Sequence, residues 1–333
     1  VSATLPVAVD AMGGDRAPGE IVEGAKQAAA LGIPVALVGP DDGSLGDVGD
    51  LPVFPAGEVI AMDDEPARAV RTRKDSSLVR AAEAVRDTRA SAMVSAGNTG
   101  ATMASALLRM GRIKGVARPA IAAPLPVPGR DTPTVLLDAG ANAECSPEWL
   151  LQFGQMGAAY VERRYGTERP KVALLSIGEE AGKGNSLVKA TYELLADGGS
   201  GVDFVGNVEG RDLLTGEVDV VVTDGFTGNV ALKALEGALR AFMGILGQVF
   251  AETPETKAAG DVLLPGLLAQ AATVDPDETG GAMLLGVDGV CIISHGSSRA
   301  RAILNAVRVA HEMATGGLVE HLREAVAAAP SSG

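Results

Sequence analysis

Seven short runs of Val, Ile, Leu and Ala, each closed by Gly or a polar residue, constrain this chain more than any other feature. They are "PVAVDA", "PVALVG", "SAMVSAG", "TVLLDAG", "KVALLSIG", "VDVVVTDG" and "GVCIISHG". Runs that are apolar without alternation are the pattern of strands covered on both faces. Between them lie segments with helical spacing. "EIVEGAKQAAAL" sets Ile21, Val22, Ala25, Ala28 and Ala29 along one face, and "LVRAAEAVRDT" and "SLVKATYELLA" repeat the pattern. Strand–helix alternation predicts an α/β fold with a doubly wound, mostly parallel sheet in α/β/α layers. Only 3% of residues are aromatic although 47% are hydrophobic, so the core must be close-packed aliphatics. The 43 glycines are interleaved with apolar runs, which suits tight strand-to-helix turns better than disorder.

One segment breaks the alternation. From Asn229 to Gly281 the chain reads helical, with Pro254 between two halves and Pro265 interrupting the second. This predicts a helical hairpin over 229–281, projecting from a single domain over 1–330. No repeat and no Pro/Ser-rich linker divides the chain.

Charge and cysteine usage exclude several classes. A net charge of −14 argues against generic nucleic-acid binding, so an acidic partner must meet a local basic patch. Cys145 and Cys291 offer neither a disulfide framework nor metal-ligand spacing, and no metal or cofactor is expected. The opening "VSATLPVAVDA" lacks the basic and apolar regions of a secretory signal. Ala90 to Leu108, the longest uncharged stretch, is too polar to span a bilayer. A cytoplasmic protein is expected.

In doubly wound folds ligands sit beyond the carboxyl ends of the strands, and this chain puts its unusual polar residues there. The strand ends supply Asp10, Gly13, Gly14, Asp15 and Arg16; Ser95, Asn98 and Thr99; Asp138 and Asn142; Glu179, Lys183 and Asn185; Asp224, Thr227 and Asn229; His295, Ser297 and Ser298. "NTGATMA" and "GSSRARA" look like helix starts. A pocket dense in backbone N–H groups at turns and helix N-termini holds phosphate with few cationic side chains. Within "SIGEEAGKGN", Gly178, Gly182 and Lys183 mimic a P-loop, but the spacer is one residue short and Gly184 stands where Ser or Thr belongs. Glu179 and Glu180 would repel a triphosphate. Lys183 is read instead as one positive charge, balanced by Glu179 and Asp224. No Ser-His-Asp or Cys-His arrangement suggests itself, which leaves phosphate itself as the nucleophile.

Seven motifs, in order, are specific where each alone is weak: "VDAMGGDRAPGEIVEGA", "KDSSLVRA", "VSAGNTGA", "LLDAGANAEC", "SIGEEAGKGN", "TDGFTGNVALK" and "GGAMLLGVDGVCIISHGSS". Together, over about residues 6 to 325, they resemble the bacterial phosphate acyltransferase (PlsX) family. The resemblance implies a fold similar to the isocitrate/isopropylmalate dehydrogenases and the phosphate acetyltransferases. It implies transfer of a fatty acyl group from acyl carrier protein to inorganic phosphate, giving acyl phosphate for phospholipid synthesis. It further implies a homodimer, peripheral contact with the inner face of the cell membrane, and a membrane glycerol-3-phosphate acyltransferase that consumes the product. Where the family motif reads DAMGGDHAP this chain has Arg16, which can hold phosphate or phosphopantetheine but cannot shuttle protons near neutral pH.

In that chemistry Lys183 stabilises the charge that develops on the thioester oxygen, or fixes the incoming phosphate. Asp224 accepts a proton from hydrogen phosphate, or orients Lys183, or only caps a helix. Gly13, Gly14, Asp15, Arg16, Asn98, Thr99, Asn142, Glu179, Asn185, Asn229, His295, Ser297 and Ser298 form the expected substrate- and phosphate-binding set. Two basic stretches are candidates to dock the acidic carrier. They are Arg68, Arg71, Arg73 and Lys74, or Arg109, Arg112, Lys114 and Arg118, the second favoured for following the Asn98 helix. In the hairpin, Leu232, Leu235, Leu239, Phe242, Met243, Leu246 and Phe250 are expected to form the dimer stripe. A tip near Val262, Leu263, Leu264, Leu267 and Leu268 is expected to touch membrane. The rivals are a coenzyme A-dependent phosphate acetyl- or butyryltransferase and a non-enzymatic membrane scaffold. An NAD-dependent dehydrogenase is disfavoured because no G-x-G-x-x-G follows a strand with an acidic residue some twenty positions later.

Overall fold

The computed structural model describes residues 5–273 and 276–327, with side chains for all of these except 268–277. The single unit expected over 1–330 is thus described from 5 to 327. At its centre, among the described residues, is one sheet of eleven strands. These are β1 (Val7–Asp10), β2 (Val35–Gly39), β3 (Val53–Pro55), β4 (Ala92–Ser95), β5 (Ala120–Leu125), β6 (Thr134–Leu137), β7 (Lys171–Leu175), β8 (Asp203–Val208), β9 (Val220–Val222), β10 (Ala282–Leu285) and β11 (Val290–Ile293). Their spatial order is β3-β2-β1-β4-β11-β10-β5-β6-β9-β7-β8. The antiparallel pairs, β11–β10, β10–β5 and β5–β6, sit together in the middle. Every other neighbouring pair is parallel. Two parallel blocks, β3-β2-β1-β4-β11 and β6-β9-β7-β8, therefore run in opposite directions and are spliced through β10 and β5.

The helices are α1 (Gly19–Ala30), α2 (Pro66–Thr72), α3 (Ser77–Arg86), α4 (Thr99–Arg109), α5 (Pro147–Tyr165), α6 (Ser186–Ala196), α7 (Gly225–Ala251), α8 (Pro254–Thr273), α9 (Pro276–Thr279), α10 (Ala300–Thr315) and α11 (Leu318–Ala327). Period-two alternation assigns each strand residue a face. On β5, Ala120 and Ala122 join a core that runs the width of the sheet under α1, α5, α10 and α11. Phe153 of α5 is wholly buried there, contributing roughly 1.5–3 kcal/mol. The opposite face is different, because its core comes in two separate pieces. One includes Met93, Ile121, Ala123, Leu284 and Ile293 under α2, α3 and α4. The other is a smaller patch of Leu125, Leu136, Ala173, Leu175, Leu213 and Val221. Leu232 of α7 touches both pieces.

The seven expected runs contain β1, β2, β4, β6, β7, β9 and β11; β3, β5, β8 and β10 had no such signal. β8 is an edge strand with only Asn207 buried, so "DFVGNV" never reads as a continuous apolar run. β5 carries Pro124, which removes a ladder donor and argues against a central strand.

Over the segment expected as a hairpin the chain forms α7 and α8, with details that differ from the expectation. Its first helix starts at Gly225, four residues early, and α7 buries only Gly225 and Gly228. Helix α8 continues through Pro265 instead of breaking there. The turn between the helices falls at Glu252–Thr253, so the tip is polar and Val262, Leu263, Leu264 and Leu267 lie along α8, exposed. The side chain of Leu268 lies outside the described residues. The expected dimer stripe also divides. Leu232, Leu235 and Leu239 line a cavity at the base of α7, whereas Phe242 and Met243 are exposed together with Ile245 and Val249. Among the described residues no helix is long and apolar enough to cross a membrane.

Candidate active site

Strands β1, β4 and β11 are parallel neighbours, so the loops that follow them meet. Asp10 ends β1, 2% exposed, and its carboxylate accepts the Ser95 hydroxyl at 2.7 Å and the Met12 N–H at 3.3 Å. Burial pushes its pKa up, against the hydrogen bonds of Ser77, Ser95, Met12 and Gly13. Gly13 has no room for a side chain, since a Cβ would stand 2.4 Å from Asp10 Oδ2 and 2.8 Å from Gly97 N. The Asp15 N–H donates to Gly296 O at 2.8 Å, locking the β1 loop to the β11 loop. Asn98 caps α4 by accepting the Ala101 N–H at 3.0 Å, and its amide donates to Met62 O and Asp64 O at 2.9 and 3.2 Å. After β11, His295 Nδ1 lies 2.8 Å from Ser297 Oγ. The hydroxyls of Ser294 and Ser298 are buried without a protein partner. Such groups are costly unless something else bonds them.

The second block ends in a different cluster. Asp138 follows β6, 0% exposed. Its Oδ1 accepts the N–H of Ile121, Gly140 and Ala141 at 3.0, 3.1 and 2.9 Å. Its Oδ2 accepts the N–H and side-chain amide of Asn142 at 2.7 and 2.9 Å. Asp138 and Asp10 thus shape their loops. Helix α7 seats on this loop through Gly225 N–H to Asn142 O at 2.8 Å. A Cβ on Gly228 would come 2.0 Å from Asp138 O. Asp224 caps α7, accepting the Thr227 N–H at 2.9 Å and hydroxyl at 2.7 Å.

Between the two clusters lies a cavity of about 270 Å³. Its floor is the sheet face where the core is divided: Ile121, Ala123 and Leu125 of β5, Ala282 of β10 and Ile293 of β11. Leu232, Leu235 and Leu239 of α7 roof it, and Pro124, Pro126, Pro128 and Leu214 close one end. Polar groups reach it from both clusters: Thr99, Ser294, His295 and Ser298 from the first, Asn229 from the second. The two charged side chains in the wall, Lys233 and Glu236, bind each other at 2.9 and 3.0 Å.

The expected site residues divide accordingly. Thr99, Asn229, His295 and Ser298 line one cavity. Gly13, Gly14, Asp15, Asn98 and Ser297 stand in the interlocked loops beside it, with exposed Arg16, while Asn142 and Asp224 seat the helix that carries Asn229. The Lys183 loop follows β7, one strand beyond β9, and does not line the cavity. Lys183 is exposed, and its ammonium forms no ion pair among the described residues. The expected balance with Glu179 and Asp224 is therefore not formed. Glu179 faces Arg211 at 3.8 Å, Asp224 is held by Thr227, and Asn185 caps α6 through the Val188 N–H at 2.9 Å.

The reason for favouring Arg112 and Lys114 as a docking site does not hold either, whereas Arg109 donates to Val70 O at 3.4 Å, beside Arg71. Helix α4 carries Arg112 and Lys114 away from Asn98: Ile113 N–H bonds Gly286 O, at the turn before β11. Four residues of β11 separate that turn from Ser294, about 13 Å. Arg112 also donates to Ala117 O, and Arg109 lies 3.6 Å from Glu83. The segment leading into Arg68 instead packs on the residues that follow Thr99 and His295 of the cavity wall, with Pro66 against Gly100 and Met62 against Gly296. The sequence reading missed Ser294, whose only signal was its place at the end of a buried run. It also missed the Pro124–Pro128 wall, hidden by the prolines that break the strand pattern.

A family model described as "Fatty acid synthesis protein" matches residues 5–321. Phosphate acyltransferases of Elusimicrobium minutum and Pelotomaculum thermopropionicum are each 48% identical to this chain over 97% of it, covering 96% and 95% of their own lengths. The chain belongs to the phosphate acyltransferase family. It is an enzyme of the acyltransferase class. Solved structures extend the likeness to the fold. A phosphotransacetylase of Streptococcus pyogenes superposes with a TM-score of 0.61 at 14% identity, covering 95% of each chain. A branched-chain phosphotransacylase of Enterococcus faecalis gives 0.58 at 15% identity, covering 92% of this chain and 99% of its own.

Both cysteines are poor nucleophiles. Burial pushes the Cys291 thiol up to about 12 and the Cys145 thiol up to about 11. A hydroxyl-rich mouth, the N-terminus of α4 and an apolar chamber suit a phosphate oxygen attacking an acyl carbonyl better than a protein thiolate.

Proposed function

We propose that this enzyme moves a fatty acyl group from acyl-[acyl carrier protein] to inorganic phosphate, and that the acyl phosphate enters phosphatidic acid and phospholipid synthesis. A phosphate oxygen attacks the thioester carbonyl, the tetrahedral oxyanion collapses, the C–S bond breaks, and the thiolate of the carrier takes up a proton. The observation that carries this reading is the junction of a polar mouth with an apolar cavity. Ser294 and Ser298 bring unpaired hydroxyls there, and α4 brings its first N–H groups. Lys183 meets the developing charge, or the phosphate, when its exposed loop folds inward. Asp224 takes the proton or positions Lys183; Thr227 uses one acceptor site on each of its oxygens and leaves the others available.

The carrier docks beside the mouth, on the strip that begins at Arg68 and Arg71, both exposed. The apolar outer face of the hairpin supports a homodimer and reversible contact with the membrane that holds the next acyltransferase. The test is a comparison of palmitoyl-carrier and palmitoyl-coenzyme A as donors, with acyl phosphate trapped as the hydroxamate. Carrier-dependent product is expected; product from coenzyme A alone would move the enzyme to the phosphate acetyl- or butyryltransferase class. Arg68→Glu with Arg71→Glu should raise KM for the carrier and leave KM for phosphate unchanged, whereas Arg112→Glu with Lys114→Glu should affect neither. The reverse pattern would return docking to the far end of α4.

A further inference from the structure

We infer that the cavity under α7 is the acyl-chain site and that its length sets how much of the chain the enzyme reads. This rests on the acyl-transfer reading and adds the place and extent of chain binding. Three observations converge. First, the core on this face of the sheet is interrupted where β5 crosses from Ala123 to Leu125, leaving apolar floor without the packing found on the other face. An apolar chamber inside a close-packed α/β protein is a place for a ligand of the same character. Second, the floor is made of small side chains at its centre, Ala123 and Ala282 side by side on β5 and β10. Any larger residue at either position would fill the space. Third, the wall's charges, Lys233 and Glu236, neutralise each other, and its remaining polar groups belong to the two clusters, Thr99, Ser294, His295 and Ser298 from the first and Asn229 from the second. The occupant therefore has an uncharged, featureless body, which fits a saturated acyl chain whose carbonyl meets the clusters at the Asn229 end of α7.

The roof gives the length. From Asn229 to Leu239 the cavity follows ten residues of α7, about 15 Å at 1.5 Å per residue. An extended chain advances about 1.3 Å per carbon, the projection of a ~1.5 Å bond. The chamber thus takes about twelve carbons. A longer chain emerges past Leu239, which is 44% exposed, onto the apolar outer face of the hairpin that continues through Phe242 and Ile245. The head of the chain is read by the chamber, and its tail is free to lie on whatever covers the hairpin.

The experiment measures kcat/KM for butyryl- through stearoyl-carrier on the parent enzyme and on Ala123→Leu. Each methylene buried contributes up to about fourfold. For the parent, kcat/KM should rise at least about tenfold from four to twelve carbons and level off beyond. In Ala123→Leu the twelve-to-four ratio should fall at least about tenfold, since the added isobutyl group occupies chamber floor. A parent profile flat within threefold from four to twelve carbons would overturn the inference, as would an unchanged ratio in folded Ala123→Leu. A second measurement needs neither turnover nor a variant. Dodecanoyl-carrier with a terminal diazirine, photolysed on the parent protein without phosphate, should label peptides containing 121–128 or 229–239. Labelling of neither segment would also overturn it. Failure of the parent to make acyl phosphate from any donor, with the label still in those segments, would defeat the proposed reaction and leave the chain site standing.

Discussion

Replacing Asp138 with Asn should cost this protein several kcal/mol even though it changes one atom and no volume. The carboxylate is fully buried and accepts five hydrogen bonds, three on Oδ1 and two on Oδ2. An amide has one acceptor oxygen. If that oxygen takes the Oδ1 place, the N–H groups of Ile121, Gly140 and Ala141 keep their partner, but the new NH₂ then faces two donors, the N–H and side-chain amide of Asn142. Hydrogen bonds to a charged group are worth about 1.5–3 kcal/mol each. Losing two that share one loop, and so do not simply add, puts the cost at about 3–5 kcal/mol. The opposite amide orientation is worse, because it abandons three bonds to keep two. Equilibrium urea denaturation followed by far-ultraviolet circular dichroism measures the difference directly. The loop also seats α7 through Asn142 O, so acyl phosphate formation should fall in the folded fraction as well. A loss of stability below about 1 kcal/mol would mean that Asp138 is not the hub of this loop, and the reasoning from its five partners would fail.

The other expectations are shorter. Lys183→Ala should lower kcat about 10²- to 10³-fold with an unchanged circular dichroism spectrum, the usual cost of removing one donor to a developing oxyanion; a loss under tenfold would remove Lys183 from the chemistry. Gly228→Ala should destabilise by about 3 kcal/mol or prevent folding, because its Cβ would stand 2.0 Å from Asp138 O, and a melting temperature within 2 °C of the parent would contradict that contact. Cys145 and Cys291, with thiols pushed up to about 11 and about 12, stay protonated at pH 7.5, so iodoacetamide should label neither quickly until the protein is unfolded; alkylation of native Cys145 at the rate of a free thiol would refute the shift.

What the sequence made legible follows from which forces are local. The seven buried runs announced seven strands because a strand covered on both faces carries its burial in its own composition. The polar residues that end them announced the loops of both clusters, because Gly14, at φ 111°, and Asn98 are demanded by turn and cap geometry within a few residues. The antiparallel splice stayed hidden. β10 and β5 owe their place to long-range pairing with each other and with β11 and β6, and Pro124 makes β5 look like a loop. The cavity was hidden for the same reason, since its floor, roof and mouth come from segments far apart in the chain that meet only across the splice. Distance along a helix misled in the opposite sense. Arg112 follows Asn98 by fourteen positions, yet α4 runs back along the strands it follows and delivers Arg112 to the opposite end of β11, beside Val287. In a doubly wound fold the residue after a helix is at the wrong end to meet the residue that starts it. A basic patch useful at the mouth must instead lie in a segment that folds over the N-terminus of α4, and Met62–Pro66 does this, leading directly into Arg68.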